Sequence, residues 1–244
     1  MLTDTKKMLI DARKRGYAVP AFNTNGANYD IIMAVCNAAQ EMGSPVILAH
    51  YVSTGAYSGH DWFQKTAQWC AEKVTVPVAI HLDHGDGFPI CMQALKLGFT
   101  SIMYDGSALS IEENAEKSRE IIKVAKEFGV PVETEVGELA RIGTEETANV
   151  KTVDLEEIKK FLQLCSPDSL AVGIGNAHGY YTETPVIRLD LLKAVSDITD
   201  IPLVLHGCTG MDDDVVKKAI KLGVAKINFG TMIRCKYVEF YKEG

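Results

Sequence analysis

In Lys96-Leu97-Gly98-Phe99-Thr100, a helical pattern ends at a glycine and an apolar strand begins directly after it. Glycine ends helices because it adopts the left-handed backbone conformation at little cost. The same transition recurs at Glu41-Met42-Gly43-Ser44-Pro45, Glu127-Phe128-Gly129-Val130-Pro131 and Lys221-Leu222-Gly223-Val224-Ala225. This repetition indicates a chain that alternates between helices and strands.

Short apolar runs of the kind that form strands buried on both faces follow these helix ends. Eight are predicted, at residues 20–24, 45–50, 77–83, 101–105, 131–136, 170–175, 202–207 and 225–230. Amphipathic segments separate them, the clearest being 111–128, which Ser110 and Glu113 open as a capping box. Such alternation predicts right-handed βαβ units and a parallel sheet. Eight units in 244 residues favour a closed (β/α)8 TIM barrel over an open doubly wound sheet, with residues 1–244 forming one domain.

The composition argues against several classes of protein. A net charge of −7 without any Lys/Arg-rich cluster argues against a nucleic-acid partner. No apolar run is long enough to span a bilayer, and the N-terminus lacks the apolar stretch of a secretory signal. The six cysteines are scattered and form no Cys-x-x-Cys pair, so we expect reduced thiols in a soluble cytoplasmic protein.

Polar residues gather at the carboxyl ends of the predicted strands, where barrels of this kind carry their active sites. They are Asn23, His50, Asp83, His84, Asp105, Glu135, His178, His206 and Asn228. Buried polar groups destabilise a fold unless they find partners, so this concentration indicates a functional site rather than a purely structural barrel.

Three of the histidines lie next to glycines, which allow sharp turns of the backbone. They are His84, His178 and His206. Three imidazoles with an open fourth position are typical of a catalytic zinc site, and within the barrel we predict that these three bind Zn²⁺. Strand alternation places His81 on the same face as Asp83, where it either supports the site or belongs to the core.

Two glycine-containing loops have the features of a phosphate site. They are His206-Gly207-Cys208-Thr209-Gly210 and Asn228-Phe229-Gly230-Thr231, after the seventh and eighth predicted strands. Barrels frequently bind phosphate there through backbone N–H groups and a helix N-terminus. The alternative is that both are ordinary turns leading into helices. We also expect the Cys208 thiol to be accessible, so that alkylation inactivates the protein and substrate protects it.

Taken together, the motifs resemble those of the class II ketose-bisphosphate aldolases, the group of the fructose-bisphosphate and tagatose-bisphosphate aldolases. The resemblance runs in order along nearly the whole chain. It is carried by Val19-Pro20-Ala21-Phe22-Asn23, His81-Leu82-Asp83-His84-Gly85, Met103-Tyr104-Asp105-Gly106-Ser107, Glu133-Thr134-Glu135-Val136-Gly137, Ala177-His178-Gly179, His206-Gly207 and Lys226-Ile227-Asn228.

The resemblance implies zinc binding by the three histidines and proton transfer by Asp83 at the hydroxyl of the cleaved bond. It also implies a set of residues that hold dihydroxyacetone phosphate, namely Gly179, Gly207, Thr209, Asn228 and Thr231. To this predicted substrate site we add Asn23 and the loop residues Cys208, Phe229 and Gly230. The family is generally dimeric or tetrameric, so we expect a homodimer or homotetramer.

Four acidic residues complete the predicted site. Asp105 and Glu135 match positions where the family can hold an additional cation; the alternative is that they hydrogen bond to the histidines. Cleavage next to the ketone leaves an enediolate, and the family that the chain resembles protonates its carbon with a glutamate on the loop after the fifth strand. Here that loop is 140–151, and Glu145 or Glu146 is the candidate unless the two are only a solvated acidic pair.

The predicted reaction is reversible cleavage of a ketose (bis)phosphate, either fructose or tagatose 1,6-bisphosphate, to dihydroxyacetone phosphate and an aldehyde such as glyceraldehyde 3-phosphate. A Schiff-base aldolase would need a lysine at the carboxyl end of a strand, whereas Lys226 lies at the start of the last one. Many zinc hydrolases on this barrel carry a His-x-His pair on an early strand, and the sequence has no such pair, which argues against that class. The remaining alternative is a non-catalytic sugar-phosphate-binding protein on the same fold.

Overall fold

The computed structural model describes residues 1–26, 28–141, 153–179, 181 and 185–243, and eight parallel strands within these form a closed barrel. The strands are β1 (Val19–Asn23), β2 (Val46–Tyr51), β3 (Val78–Gly85), β4 (Ser101–Tyr104), β5 (Val132–Val136), β6 (Ala140–Arg141), β7 (Ser169–Val172), β8 (Ala177–His178), β9 (Leu203–Leu205) and β10 (Val224–Phe229). Around the barrel the order is β1-β10-β9-β7-β5-β4-β3-β2, while β6 and β8 pair separately. The predicted (β/α)8 barrel is therefore confirmed.

Helices lie between the strands and cover the barrel. They are α1 (Thr5–Arg15), α2 (Tyr29–Met42), α3 (Val52–Ser58), α4 (His60–Ala71), α5 (Phe88–Leu97), α6 (Ile111–Glu127), α7 (Leu155–Leu164), α8 (Leu189–Ile198), α9 (Asp213–Lys221) and α10 (Thr231–Glu243). The predicted capping box at Ser110 and Glu113 opens α6. Gly43 and Gly98 end α2 and α5 with φ of 59° and 90°, which confirms the helix ends from which the fold was predicted.

The barrel strands separate an apolar outer layer from a polar interior. Side chains such as Ile80 and Leu82 of β3 pack with Phe63 of α4 in one core cluster. Successive side chains of a strand point to opposite faces, so His81 and Asp83 project into the barrel. All eight residues of β3 are buried. The polar side chains inside the barrel therefore lie next to the carboxyl ends of the strands, where the site residues are predicted.

α1 packs against the barrel strands. Met8, Leu9 and Ala12 of this helix share a core cluster with Ala79 and Ala225. Among the described residues, none of the helices combines the length and the apolar character that crossing a bilayer requires.

Candidate metal centre and active site

Three imidazoles from distant parts of the chain converge at the carboxyl ends of the strands. His84 lies near the end of β3, His178 in β8 and His206 directly after β9. The ring centroid of His84 lies 4.8 Å from those of both His178 and His206. One nitrogen atom from each ring lies within 4.8 Å of the others. The structure thus brings together the three histidines that the sequence predicts as zinc ligands.

A break in the strand pairing aims His84 at this centre. The register between β3 and β4 shifts between Leu82 and Gly85, and His84 itself adopts a φ of 52°. Non-glycine residues seldom adopt a positive φ, and such strain is concentrated at functional sites. Gly85 is required next to it because an added Cβ would lie 2.6 Å from the carbonyl oxygen of Met103.

Hydrogen bonds select the nitrogen that His84 presents. Its Nδ1 lies 2.8 Å from Oδ2 of Asp105, whose other oxygen accepts from the backbone N–H and hydroxyl of Ser107. The carboxylate accepts hydrogen bonds, so Nδ1 carries the proton. Nε2 of His84 is buried and has no hydrogen-bond partner. Burial lowers the pKa of His84, but Asp83, Asp105 and Glu135 together raise it to about 9.

His206 is held from two sides. Its Nε2 lies 2.9 Å from Oε1 of Glu133, and its Nδ1 lies 3.1 Å from the side-chain amide nitrogen of Asn228. Burial, the largest influence, lowers the pKa of this imidazole. A ring that stays neutral keeps a lone pair available for a metal ion.

Two amides orient the Asp83 carboxylate. Nδ2 of Asn23 donates to one carboxylate oxygen at 2.8 Å, and Nδ2 of Asn228 donates to the other at 3.0 Å. Burial raises the pKa of Asp83, but the neighbouring His84, followed by His206 and the ammonium group of Lys226, outweighs burial, so the pKa falls below its ordinary value. The result is a fixed, ionised carboxylate that can accept a proton next to the metal centre.

Asp105 and Glu135 form a second cluster with His84, and their ligand atoms lie within 4.8 Å of one another. Asp105 hydrogen bonds to His84, as one of the two alternatives predicts. Glu135 differs, because both of its carboxylate oxygens are buried without a hydrogen-bond partner. Burial first, and then the charge of Asp105, raise the pKa of Glu135 well above its ordinary value. Such a carboxyl group can either keep its proton or bind a cation.

A cavity of about 50 Å³ lies at this centre. It is lined by Asn23, Asp83, His178, Gly179, Gly207, Thr209, Asn228, Gly230 and Thr231. Seven of these belong to the nine residues predicted to bind substrate, and Asp83 and His178 connect the cavity to the metal centre. α10 begins at Thr231, which places a helix N-terminus beside the cavity. Helix N-termini and exposed backbone N–H groups attract phosphate.

The side chains of Cys208 and Phe229 lie away from this cavity. Cys208 is 2% exposed and belongs to a hydrophobic cluster with Leu205 and Met211. Burial raises the pKa of its thiol to about 12. The expected accessible thiol is therefore wrong, because the side chain turns into the core rather than toward substrate. Phe229 stacks on Phe22 with ring centroids 5.7 Å apart.

Three further predictions concern residues around the centre. Glu145 and Glu146 lie outside the described residues. His50, at the end of β2, bonds through Nε2 to Nδ1 of His60 at 3.0 Å and stacks on Phe63. It therefore joins neither metal cluster.

Sequence reasoning gave no role in the site to two charged residues below the centre, Glu133 and Lys226, although both lie within the quoted motifs. Lys226 is fully buried, and its Nζ lies 2.7 Å from Oε2 of Glu133. A period-two pattern could have found both, since they stand two residues before Glu135 and Asn228 and so share the inward face of their strands.

A family model described as class II fructose-bisphosphate aldolase matches residues 3–244 of the chain. The fructose-bisphosphate aldolase of Mycoplasma pneumoniae is 41% identical over 251 residues, which cover all of this chain and 84% of that protein. The sulfofructosephosphate aldolase of Alkalicoccus urumqiensis is 38% identical over 243 residues, covering 98% of this chain and 83% of the other. The crystal structure of the YdjI aldolase from Escherichia coli K12 superposes with a TM-score of 0.86 at 34% identity, covering 100% of this chain and 86% of that one. The chain therefore belongs to the class II fructose-bisphosphate aldolase family, and the enzyme is a lyase.

Proposed function

We propose that this aldolase holds Zn²⁺ through His84, His178 and His206 and cleaves a phosphorylated ketose reversibly to dihydroxyacetone phosphate and an aldehyde such as glyceraldehyde 3-phosphate. The observation that carries the proposal is the buried, unpartnered Nε2 of His84 within a cluster of three imidazoles. An unsatisfied buried polar atom costs about 1–3 kcal/mol, which a ligated cation would offset. Three imidazole nitrogen donors suit zinc.

When bound, zinc supplies Lewis-acid stabilisation of the enediolate that forms as the carbon–carbon bond breaks. The protein supplies the proton transfers. Asp83 accepts the hydroxyl proton at the scissile bond during cleavage and returns it during synthesis. Its orientation by Asn23 and Asn228 supports this role, since a general base must hold its acceptor oxygen in hydrogen-bond reach of the proton that it removes.

The cavity beside Asp83 supports a site for the phosphate of dihydroxyacetone phosphate. Gly179, Gly207 and Gly230 let the backbone approach closely, and Thr209 and Thr231 add hydroxyl groups. Asn23 and Asn228 each keep a buried carbonyl oxygen without a partner, which can accept from a substrate hydroxyl.

The remaining assignments are also proposals. Glu145 or Glu146 protonates the enediolate carbon, and a second cation can lie near Asp105 and Glu135, as the unpartnered oxygens of Glu135 support. All six cysteines are free and five are buried, which supports work in the reducing cytoplasm. The enzyme acts as a homodimer or homotetramer.

A cleavage screen tests the proposed function. Metal-free enzyme, with and without added zinc, is assayed against the 1,6-bisphosphates and the monophosphates of fructose and tagatose. The 41% identity to a fructose-bisphosphate aldolase supports the fructose substrate first. We expect zinc-dependent cleavage, abolished by a chelator and restored by zinc. Full activity of the chelated enzyme would refute the zinc proposal.

A deuterium-exchange assay on dihydroxyacetone phosphate separates an active enzyme from a non-catalytic sugar-phosphate-binding protein. An active enzyme exchanges the C–H proton, because it forms the enediolate even without an aldehyde. Binding of dihydroxyacetone phosphate without exchange would favour the non-catalytic alternative.

A further inference from the structure

A buried ion pair lies in the barrel interior, in contact with the metal centre through His206. It joins Lys226 of β10 to Glu133 of β5, and the two side chains are 0% and 1% exposed. Nζ of Lys226 lies 3.0 Å from Oε1 and 2.7 Å from Oε2 of the carboxylate. Charges buried this deeply are strongly destabilising unless they are paired and hydrogen bonded, so each of these two residues depends on the other.

The hydrogen bonds of the pair are complete. A lysine ammonium group has three N–H donors, and the third contact of Lys226 is to Nε2 of His81 at 3.2 Å. His81 in turn contacts the hydroxyl of Ser101 through Nδ1 at 2.8 Å, and Ser101 contacts Thr5 of α1 at 2.9 Å. The ammonium therefore acts as a fixed counter-charge for Glu133 and not as a free amine nucleophile.

One carboxylate oxygen of Glu133 reaches the metal centre. Oε1 accepts from Nε2 of His206 at 2.9 Å, and a carboxylate that is already paired with an ammonium group can only accept. The proton of the neutral imidazole therefore sits on Nε2. The opposite nitrogen, Nδ1, lies 3.1 Å from the amide nitrogen of Asn228, which is a donor, so Nδ1 carries the lone pair. A metal ion on Nδ1 would take the place of this hydrogen bond.

We propose that Glu133 and Lys226 are positioning residues that hold His206 in its Nε2–H form and thereby assign Nδ1 as its metal-binding atom. The inference rests on the proposed function in one respect, that His206 binds a metal ion. His84 is held in the opposite way, because Asp105 takes its Nδ1–H and leaves Nε2. Two ligands of one centre thus present different nitrogens, each selected by a carboxylate behind it.

The need for a charged pair follows from the surroundings of Glu133. Its carboxylate shares the barrel interior with the carboxylate of Asp83, and both groups raise the pKa of the buried Glu135. The ammonium group of Lys226 compensates the negative charge of Glu133 by donating to both carboxylate oxygens. A carboxylate hydrogen bonded to a ligand imidazole orients the ring and increases its basicity, and loss of such a partner typically weakens metal affinity about 10–100-fold.

Nitrogen NMR of the wild-type enzyme tests the tautomer directly. The enzyme is labelled with ¹⁵N-histidine, and the His206 signals are assigned by their loss in His206→Gln. In the zinc-loaded enzyme we expect a protonated Nε2 and a zinc-dependent shift at Nδ1. Zinc bound to Nε2 would overturn this inference but leave the proposed function unaffected. The absence of any zinc-dependent change at His206 would overturn the proposed function as well.

Two neutral double variants test the ion pair without leaving a charge unpaired. Glu133→Gln with Lys226→Met keeps an amide oxygen that can accept from His206, whereas Glu133→Leu with Lys226→Met does not. We expect the first to bind zinc within about threefold of the wild type and to keep the Nε2–H signal. The second should bind zinc about 10–100-fold more weakly and lose that signal.

Zinc affinity is measured by competition with a chromophoric chelator. Thr5→Val is the matched control, because it cuts the same network at its far end and leaves the His206 contact intact; its zinc affinity should equal that of the wild type. Equal zinc affinities in the two double variants would overturn the inference. Should the Leu variant not fold, the tautomer seen in the wild type and in the Gln variant still decides it.

Discussion

Asp83 is the residue on which the proposed chemistry depends most directly, because both of its carboxylate oxygens are already oriented by amides. We expect Asp83→Ala to lower ketose cleavage about 10²–10⁴-fold, the usual contribution of a general acid–base group. Exchange of the dihydroxyacetone phosphate C–H proton should fall less, since it needs no proton transfer at the scissile hydroxyl. Cleavage is followed by a coupled assay and exchange by proton NMR. Equal loss of both reactions, with zinc still bound, would contradict the role of Asp83.

The loop glutamates should show the opposite bias. Glu145→Gln and Glu146→Gln are compared in the same two assays, and the variant that lacks the proton donor should lose exchange more than cleavage. The other variant serves as its control, because the two residues are adjacent and carry the same charge. If neither variant changes the ratio of exchange to cleavage, the acidic pair is only solvated.

His50 makes the stability of the fold depend on pH. It is buried against Phe63 and bonded to His60, and burial first, then the charge of His60, lower its pKa from 6.5 to about 3. In the unfolded chain His50 is protonated below about pH 6.5, whereas in the folded protein it stays neutral down to about pH 3. The free energy of unfolding is therefore highest above pH 6.5 and decreases as the pH falls toward 3. The slope approaches about 1.4 kcal/mol per pH unit below pH 6.5.

Urea denaturation at pH 7.5, 6.0 and 5.0 measures this dependence. His50→Phe is the informative variant, because a phenyl ring retains the stacking on Phe63 but does not titrate. Its free energy of unfolding should fall less between pH 6.0 and 5.0 than that of the wild type. Identical slopes for the two proteins would show that other groups cause the acid sensitivity.

At the scale of elements, the turn after β9 must pass very close to β8. Gly207 has a φ of 66°, and an added Cβ would lie 2.2 Å from the carbonyl oxygen of Ala177. Gly16, at the end of α1, has a nearly equal φ of 71° with no atom within 4 Å of such a Cβ. Comparing substitutions at Gly16 and Gly207 therefore separates the cost of a positive φ from the cost of a steric clash.

We expect Gly16→Ala to cost about 1–2 kcal/mol of stability, the usual penalty for a left-handed alanine. Gly207→Ala should cost at least about 1 kcal/mol more, because β8 or the turn has to move. Since that movement displaces His178 or His206, only the Gly207 variant should also lose zinc affinity. Urea denaturation and chelator competition measure the two effects. Equal losses of stability would mean that the turn adapts without moving β8.

At the scale of the whole molecule, the candidate metal centre joins segments that are far apart in sequence. His84, His178 and His206 come from β3, β8 and the end of β9, so a bound ion ties both halves of the barrel together. A ligand that binds only the folded state stabilises it by about 4 kcal/mol at a thousandfold excess over its dissociation constant. In a chain of this size each kcal/mol raises the melting temperature by about 2–4 °C.

Chelation should therefore lower the melting temperature by about 10 °C, and added zinc should restore it. His178→Ala is the control, since it removes a ligand whose side chain lies at the cavity rather than deep in the core. Its melting temperature should respond far less to a chelator. Calorimetry makes the comparison, and an unchanged melting temperature for chelated wild type would argue against a bound metal.

Local patterns were sufficient to predict the architecture. The glycine-terminated helices, the apolar runs and the capping box at Ser110 act over a few residues, and the eight strands lie where these patterns place them. The same holds for Asp83, His84 and Gly85, which occupy the end of one strand. Most of the cavity was predictable too, because a (β/α)8 barrel brings the carboxyl ends of all its strands to one face.

The direction of individual side chains was decided only by the tertiary structure. Cys208 stands between two cavity residues, yet its thiol packs into the core. Glu133 and Lys226 are 93 residues apart and meet only because closure of the barrel points both side chains into one interior, from strands three places apart around it. Strand alternation indicates which face a side chain occupies, but its partner depends on closure of the barrel and on the register between strands. Which ring nitrogen of His84 and of His206 carries the proton depends on that partner, and so only the folded molecule decides it.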